Sequence, residues 1–269
     1  MEPIRVAVSG AAGRMGRATV RAVVREADLR LVAAVGRERG VGQDAGLTAG
    51  VDALGVRIVA HLADALAARP DVLVEFAPGR QAAAHARAAL EAGVRPVVGS
   101  TGLPGDELER LGELARARGL GAVVAPNFAV GAVLMMAFAR AAAPWLPHAE
   151  VIELHHDRKR DAPSGTALAT ARLIAAARGA APSAASDEEE LAAGARGATV
   201  DGVRIHSVRL PGLNAHQAVV FGGPGQTLTI RHDSLSEESF MPGLLLAVRR
   251  VRDLDGLVFG LEHLLGLQA

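Results

Sequence analysis

A short β-branched run, Ile4 to Ser9 (Ile-Arg-Val-Ala-Val-Ser), passes at once into Gly10-Ala11-Ala12-Gly13-Arg14-Met15-Gly16. No other stretch limits the possible folds as strongly. Arg17 to Arg25 reads as a helix and Leu29 to Val35 as a second strand, which makes a β-turn-α-β unit. The glycines have separate roles: Gly10 permits a tight turn, Gly13 lets backbone amides reach a pyrophosphate, and Gly16 lets the helix pack closely on the strand. The spacing is G-x-x-G-x-x-G rather than G-x-G-x-x-G. A β–α turn without a ligand is the plainer reading. Direct continuation from a strand close to Met1 favours dinucleotide binding.

The alternation continues. Gly40 to Leu54 reads as a Gly-rich polar loop, Gly55 to Ala60 as a weak strand and Leu62 to Ala68 as a short helix. Asp71 to Phe76 and Pro96 to Gly99 are strands separated by a helix over Gln81 to Ala92. A further helix, Asp106 to Arg118, leads to a strand at Gly121 to Ala125. Such β/α alternation predicts a Rossmann-type, doubly wound parallel sheet, with ligand contacts at the carboxyl ends of its strands. Those ends are Phe76-Ala77, Gly99-Ser100-Thr101 and Ala125-Pro126-Asn127-Phe128. An apolar helix, Ala132 to Ala142, then marks the crossing into a second domain, with Met135 and Met136 read as core.

Polar chemistry concentrates in Glu153-Leu-His155-His156-Asp-Arg-Lys159-Arg-Asp161-Ala-Pro-Ser164-Gly165-Thr166-Ala167. Ala149 to Leu154 alternates as a strand end, and Thr166 to Ala177 is apolar at helical spacing. Ser164-Gly165-Thr166 therefore opens a helix, where backbone N–H groups and the positive end of the helix dipole favour an anion. His155 can carry a proton near neutral pH, and Lys159 supplies a fixed positive charge. The set suits a small dianionic acid that must be protonated. Ser164 acting only as a helix cap is the plainer alternative.

Arg178 to Gly197 reads as a surface helix and loop, with Asp187 to Glu190 a solvated face. From Val203 to Arg231 strands follow without helices: Val203 to Arg209, Gln217 to Phe221, a turn at Gly222 to Gly225, and Gln226 to Arg231. They predict an open mixed sheet beside the Ala149 to Leu154 strand, in an α+β domain. Ser236 to Val251 reads as a final amphipathic helix, and Leu257 to Leu267 closes the chain.

Lys plus Arg and Asp plus Glu both number 29, so no global field favours nucleic acid or an acidic membrane surface. The chain has no Cys, which excludes disulfides, thiol catalysis and Cys-ligated metals, and no metal site is expected. No signal-like segment or apolar run of membrane-spanning length is read, so a soluble, cytoplasmic protein is expected.

His-His-x-x-Lys-x-Asp-Ala-Pro-Ser-Gly-Thr-Ala resembles the signature of the dihydrodipicolinate reductase (4-hydroxy-tetrahydrodipicolinate reductase) family. Val-Ser-Gly-Ala-Ala-Gly-Arg-Met-Gly resembles that family's opening, and Leu210-Pro-Gly-Leu-Asn-Ala-His216 a later segment. The resemblance implies NAD(P)H-dependent reduction of 4-hydroxy-2,3,4,5-tetrahydrodipicolinate to tetrahydrodipicolinate with loss of water, in lysine and diaminopimelate synthesis. It makes His155 the acid and Lys159 the second catalytic group. It gives the carboxylates to His156, Gly165 and Thr166, and has Asp161 orient Lys159 or its loop. It lays Gly99-Ser100-Thr101 and Ala125-Pro126-Asn127-Phe128 along the nicotinamide half of a coenzyme whose pyrophosphate lies over residues 10–15. Where the family often has an acid followed by arginine, this chain has Gly36 and Arg37. The missing carboxylate, with Arg37 or Arg39 free to meet a 2′-phosphate, favours NADPH over NADH.

The family also implies a homotetramer built through the open sheet. It divides the chain into a dinucleotide domain, 1–127 with 237–269, and a substrate and oligomerisation domain, 128–236. His216 contacts substrate or packs in the sheet. Two rivals are a related amino-acid dehydrogenase, which should lose part of His-His-x-x-Lys or Ser-Gly-Thr, and a non-catalytic nucleotide binder, which should lose His155 or Lys159. Neither loss is present.

Overall fold

The computed structural model describes residues 2–100, 102–179 and 189–267. The chain forms two compact units, one running to Phe128 and resuming at Glu237, the other spanning Ala129–Ser236.

The first unit carries β1 (Ile4–Ser9), α1 (Arg14–Arg25), β2 (Leu29–Val35), α2 (Ala45–Ala49), β3 (Ile58–Val59) and α3 (Leu62–Ala67). It continues through β4 (Val72–Glu75), α4 (Gly79–Glu91), β5 (Arg95–Val98), α5 (Gly105–Arg118) and β6 (Gly121–Val124). Its seven-stranded sheet has the order β12-β6-β5-β4-β1-β2-β3, where β12 is Gly256–Phe259 near the end of the chain. Every pairing in it is parallel. Parallel strands covered on both faces run apolar without alternation. All four residues of β4 and of β6 are buried accordingly. Strand order reverses between β1 and β4, the switch point at which doubly wound sheets hold ligands.

Three local readings change in this unit. The polar stretch before Leu54 contains α2, nucleated by Asp44, whose carboxylate accepts N–H bonds from Gly46 (2.8 Å), Leu47 (3.1 Å) and Gly55 (2.8 Å). The backbone amides, that of Leu54 foremost, hold this carboxyl below the usual range. The final helix, α8 (Met241–Arg250), begins after a 3-10 turn over Glu237–Phe240. Pro242 lacks an N–H and fits only the first turn, so the helix could not run through it from Ser236. The closing segment from Leu257, expected to hold no element, begins inside a strand: Leu257 to Phe259 belong to β12, which pairs with β6 at the sheet edge.

The second unit carries α6 (Val130–Ala142), β7 (His148–His155), α7 (Gly165–Arg178), β8 (Ala198–Val200), β9 (Val203–Arg209), β10 (Ala215–Gly223) and β11 (Gln226–Ser234). Its five-stranded mixed sheet has the order β11-β10-β7-β9-β8, with β7 parallel to β9 and antiparallel to β10. One face is dry: Val151, Ile205, Val219 and Phe221 pack with Met135 and Ala139 of α6 and Ala171 and Ile174 of α7. On the other, Ile152, Leu154 and Val220 stay half-buried.

Strand β8 was not read from the sequence, and β10 extends to Gly223, which narrows the turn before β11 to Pro224 and Gly225. No helix follows Arg178 among the described residues up to Gly197. Asp187 and Glu188 of the acidic run lie outside them. No helix among the described residues is long and apolar enough to cross a membrane.

Candidate active site

In the first unit the turn after β1 is built as its glycines require. Gly10 has φ +75°, a conformation that side chains disfavour, and the Gly13 N–H donates to Gly10 O at 2.9 Å. A Cβ on Gly16 would lie 2.1 Å from Gly10 O, so α1 can sit this close only with glycine there. The helix starts at Arg14, three residues before the expected Arg17, and its N-cap Gly13 offers no side chain to the first-turn amides. Those amides remain available to an anion.

This turn forms one wall of a cavity of about 880 Å³ at the carboxyl ends of β1, β2, β4 and β5. Gly10, Ala12, Gly13, Arg14 and Met15 line it, with Arg37, Gly99 and Ser100. Ala11 does not: it is buried, and its N–H is bonded to Val35 O at 2.9 Å. Ala125, Pro126, Asn127 and Phe128 are also absent from the lining. The Ala125 N–H is bonded to Val98 O at 3.0 Å. The Phe128 ring is buried against Gly99, where a Cβ would meet Phe128 Cε2 at 3.1 Å and Phe76 Cε1 at 2.6 Å. Thr101 lies outside the described residues.

At the end of β2, a Cβ on Gly36 would meet Ile58 Cγ2 at 2.9 Å and Arg39 O at 3.0 Å. Packing therefore disfavours any side chain, acidic or not, at that position. Arg37 and Arg39 line the cavity, and so does Glu38, which the sequence reading did not weigh.

Sequence reasoning also missed the cavity's ionisable pair. Glu75, at the end of β4, is wholly buried, with Oε2 2.6 Å from Nδ1 of His85 on α4 and Oε1 accepting the Ala77 N–H. The Ser9 hydroxyl stands 3.4 Å from the same Nδ1, and His85 lines the cavity. The available signal was a carboxylate inside an otherwise apolar strand run.

In the second unit the polar cluster is organised from β7. Val151, Glu153 and His155 alternate onto the face covered by the helices, which places a carboxylate among apolar side chains. Glu153 is wholly buried. Its Oε2 lies 2.5 Å from His155 Nδ1 and 2.9 Å from Arg209 Nη1. Its Oε1 accepts from Arg209 Nη2 at 2.7 Å and from the Ser164 backbone N–H at 3.2 Å. Burial pushes this carboxyl up, but the bonds from His155, Arg209 and Ser207 outweigh it and hold the group at about 2.

Arg209 Nη2 also donates to Asp161 O at 2.7 Å, and the Asp161 carboxylate takes Lys159 Nζ at 2.8 Å on each oxygen. Asp161 thus orients Lys159, and the Lys159 bond keeps its carboxyl below the usual range. Ser164 caps α7, its hydroxyl accepting the Ala167 N–H at 3.2 Å. A Cβ on Gly165 would meet nothing within 4 Å, which leaves open space over the start of the helix. Nδ1 of His156 is buried without a hydrogen-bond partner among the described residues. Thr166 follows Gly165 in the first turn of α7.

His216 pairs in register with Leu154, on the sheet face opposite His155, and its ring is engaged by Asp233 at 2.7 Å and by the Asn214 N–H at 3.2 Å.

The pH dependence of stability follows from Glu153. Its folded-state pKa lies below the ordinary 4.5. Between that value and about 2 the unfolded chain binds a proton that the folded chain does not, so stability present above the window is lost as pH falls through it. The urea midpoint of wild type should therefore fall more between about pH 5 and about pH 3 than that of Glu153→Gln. An equal fall in both proteins would remove Glu153 from the cause.

Models of the dihydrodipicolinate reductase N-terminus and C-terminus match residues 4–128 and 131–265. The 4-hydroxy-tetrahydrodipicolinate reductase of Moorella thermoacetica is 56% identical over 263 residues, covering 97% of this chain and 98% of that protein. The Geobacillus thermodenitrificans reductase of the same name is 51% identical over 269 residues, covering 97% and 99%. The dipicolinate-bound dihydrodipicolinate reductase of Paenisporosarcina sp. TG-14 superimposes with a TM-score of 0.86 at 42% identity, covering 97% of this chain and 99% of that one. With both halves matched and relatives of this identity along nearly its whole length, the chain belongs to the dihydrodipicolinate reductase family.

Proposed function

We infer that this chain is a 4-hydroxy-tetrahydrodipicolinate reductase, an oxidoreductase that takes 4-hydroxy-2,3,4,5-tetrahydrodipicolinate, reduced nicotinamide coenzyme and a proton to tetrahydrodipicolinate, oxidised coenzyme and water. The observation that carries this reading is the cluster on β7 and its loop, in a chain so similar to named reductases. A His at the end of β7 and a Lys in the loop after it, each held by its own carboxylate, precede a helix start that suits an anion.

The first unit's residues fit a nicotinamide dinucleotide: a glycine turn into which the helix packs closely, first-turn helix amides with no side-chain cap, and a cavity of about 880 Å³ at the switch point. When bound, the coenzyme supplies hydride. Gly10, Ala12, Gly13, Arg14 and Met15 would cradle its pyrophosphate. Of the pair considered, NADPH is the preferred coenzyme, because two arginines line the cavity at the end of β2 and the position that an acid would occupy is a crowded glycine.

The second unit binds the dicarboxylate. The orphaned Nδ1 of His156 and the open helix start at Gly165 and Thr166 would take the carboxylates. After the ring is reduced, His155 gives a proton to the enamine carbon, and Lys159 balances negative charge as it develops. The half-buried apolar residues on the open face of the five-stranded sheet support self-association through that face, as a homotetramer. A monomeric mass in solution would reject that assembly. The expected compartment is the cytoplasm, which cell fractionation tests.

The deciding experiment follows oxidation of NADPH and of NADH by wild type, with substrate generated in situ by the preceding synthase. The expected result is turnover with both and a higher kcat/KM for NADPH. No turnover by folded, nucleotide-binding protein would reject the reductase reading, and a higher kcat/KM for NADH would reverse the coenzyme assignment.

A further inference from the structure

The buried carboxylate beneath the signature loop does more than neutralise an arginine. A guanidinium needs only the two oxygens of its partner to form a fork. Glu153 makes that fork with Arg209, and its Oε2 also reaches His155 while its Oε1 takes the Ser164 amide. A buried charge is tolerated only when its lone pairs are met, and donors from Arg209, His155, Ser164 and Ser207 meet these. We propose that Glu153 is the positioning residue of the proton donor. It holds hydrogen on Nδ1 of His155 and leaves Nε2 as the atom that delivers the proton to the substrate carbon.

The chemistry follows from the donor inventory. An ionised carboxylate has no hydrogen to give, so the 2.5 Å contact requires hydrogen on Nδ1. Arg209 keeps Glu153 ionised by bonding both of its oxygens, so the Nδ1 hydrogen stays on the ring. In the charged ring both nitrogens carry hydrogen. The Nε2–H bond breaks as the carbon–hydrogen bond forms, the ring is left neutral with Nδ1–H, and the proton that the overall reaction consumes then adds to Nε2 from solvent. Glu153 remains a carboxylate throughout.

The same group ties the site together. Ser164, His155 and Arg209 bond it directly, and Arg209 passes the tether through Asp161 to Lys159. The charged groups around His155 are Glu153 on its own strand, Arg209 opposite it on β9, and Lys159 with Asp161 in the loop. The opposing residue on β10, Ala215, is uncharged, as are Gly165, Thr166 and Ala167 at the start of α7.

The proposal rests on His155 being the donor of the reductase reaction. Its test is kcat against pH, at saturating coenzyme and substrate, for wild type and Glu153→Gln. Loss of the negative charge disfavours the imidazolium. The alkaline limb of kcat should therefore move about one to three pH units lower, while the KM for coenzyme stays unchanged. Glu153→Asp, which keeps the charge, should return part of the shift. An unmoved limb in folded Glu153→Gln would overturn the proposal.

Should that variant fail to fold, 15N spectra of histidine-labelled wild type, with His155 assigned by its loss in His155→Gln, decide the matter. Hydrogen on Nδ1 of the neutral ring is expected, and a neutral ring protonated on Nε2 would overturn the proposal. The spectra need no turnover, so failure of the reductase assay and failure of this inference are separate results.

Discussion

Replacing His155 by glutamine should lower kcat by about 10²–10⁴-fold, the usual contribution of a positioned acid. The coenzyme Kd should not change, since the cavity lined by the glycine turn draws every lining residue from the first unit. Glutamine keeps polar atoms that can still meet Glu153, so a folding defect is not expected. Steady-state turnover with nucleotide titration checks both halves. A variant retaining more than about a tenth of wild-type kcat would move the donor role elsewhere, first to Lys159, because general acids rarely contribute so little.

Truncating Phe221 to alanine should destabilise the second unit by about 3–5 kcal/mol. The ring is fully buried on β10 and packs in the cluster that joins β7 and β9 to α6 and α7. Its removal forfeits the transfer energy of the ring and leaves a void that rigid β-strands close poorly. Urea unfolding followed by circular dichroism gives the difference. A loss below about 1 kcal/mol would mean that the surrounding helices collapse into the space. Because β7 presents Glu153 and His155 on the same face, a partly collapsed core would also show as lost turnover.

What could be read from the chain in advance was whatever repeats locally. The alternation of β7 and the apolar spacing of α7 located the loop between them, and the glycine turn located α1 and the end of β1. Elements too short to show a period were missed. Helix α2 has five residues and is specified by one capping aspartate. Strand β12 has four, and only its pairing with β6 distinguishes it from a tail.

Partners far apart in the chain were missed for another reason. Glu153 and Arg209 are 56 residues apart and meet because β7 and β9 are neighbours in register. Glu75 and His85 are ten apart and meet through the crossing of β4 and α4. No spacing rule reports either contact. Gly36 was read through coenzyme choice alone, and the structure adds a steric cause in Ile58 and the Arg39 carbonyl. Spacing alone also does not give the face on which His216 lies: paired with Leu154, it points away from the side that carries His155.

The parallel sheet of the first unit takes its edge strand, β12, from beyond the whole of the second unit. During synthesis the second unit, a continuous stretch, is complete while the first still lacks α8 and β12. Until then β6 is an open edge whose unpaired N–H and C=O groups can template association with another nascent chain. Order of emergence from the ribosome therefore runs against order in the sequence. The unit whose strands are made first is the last that can close. A chain stopped before Gly256 would expose β6 permanently and should be an aggregation-prone product of translation.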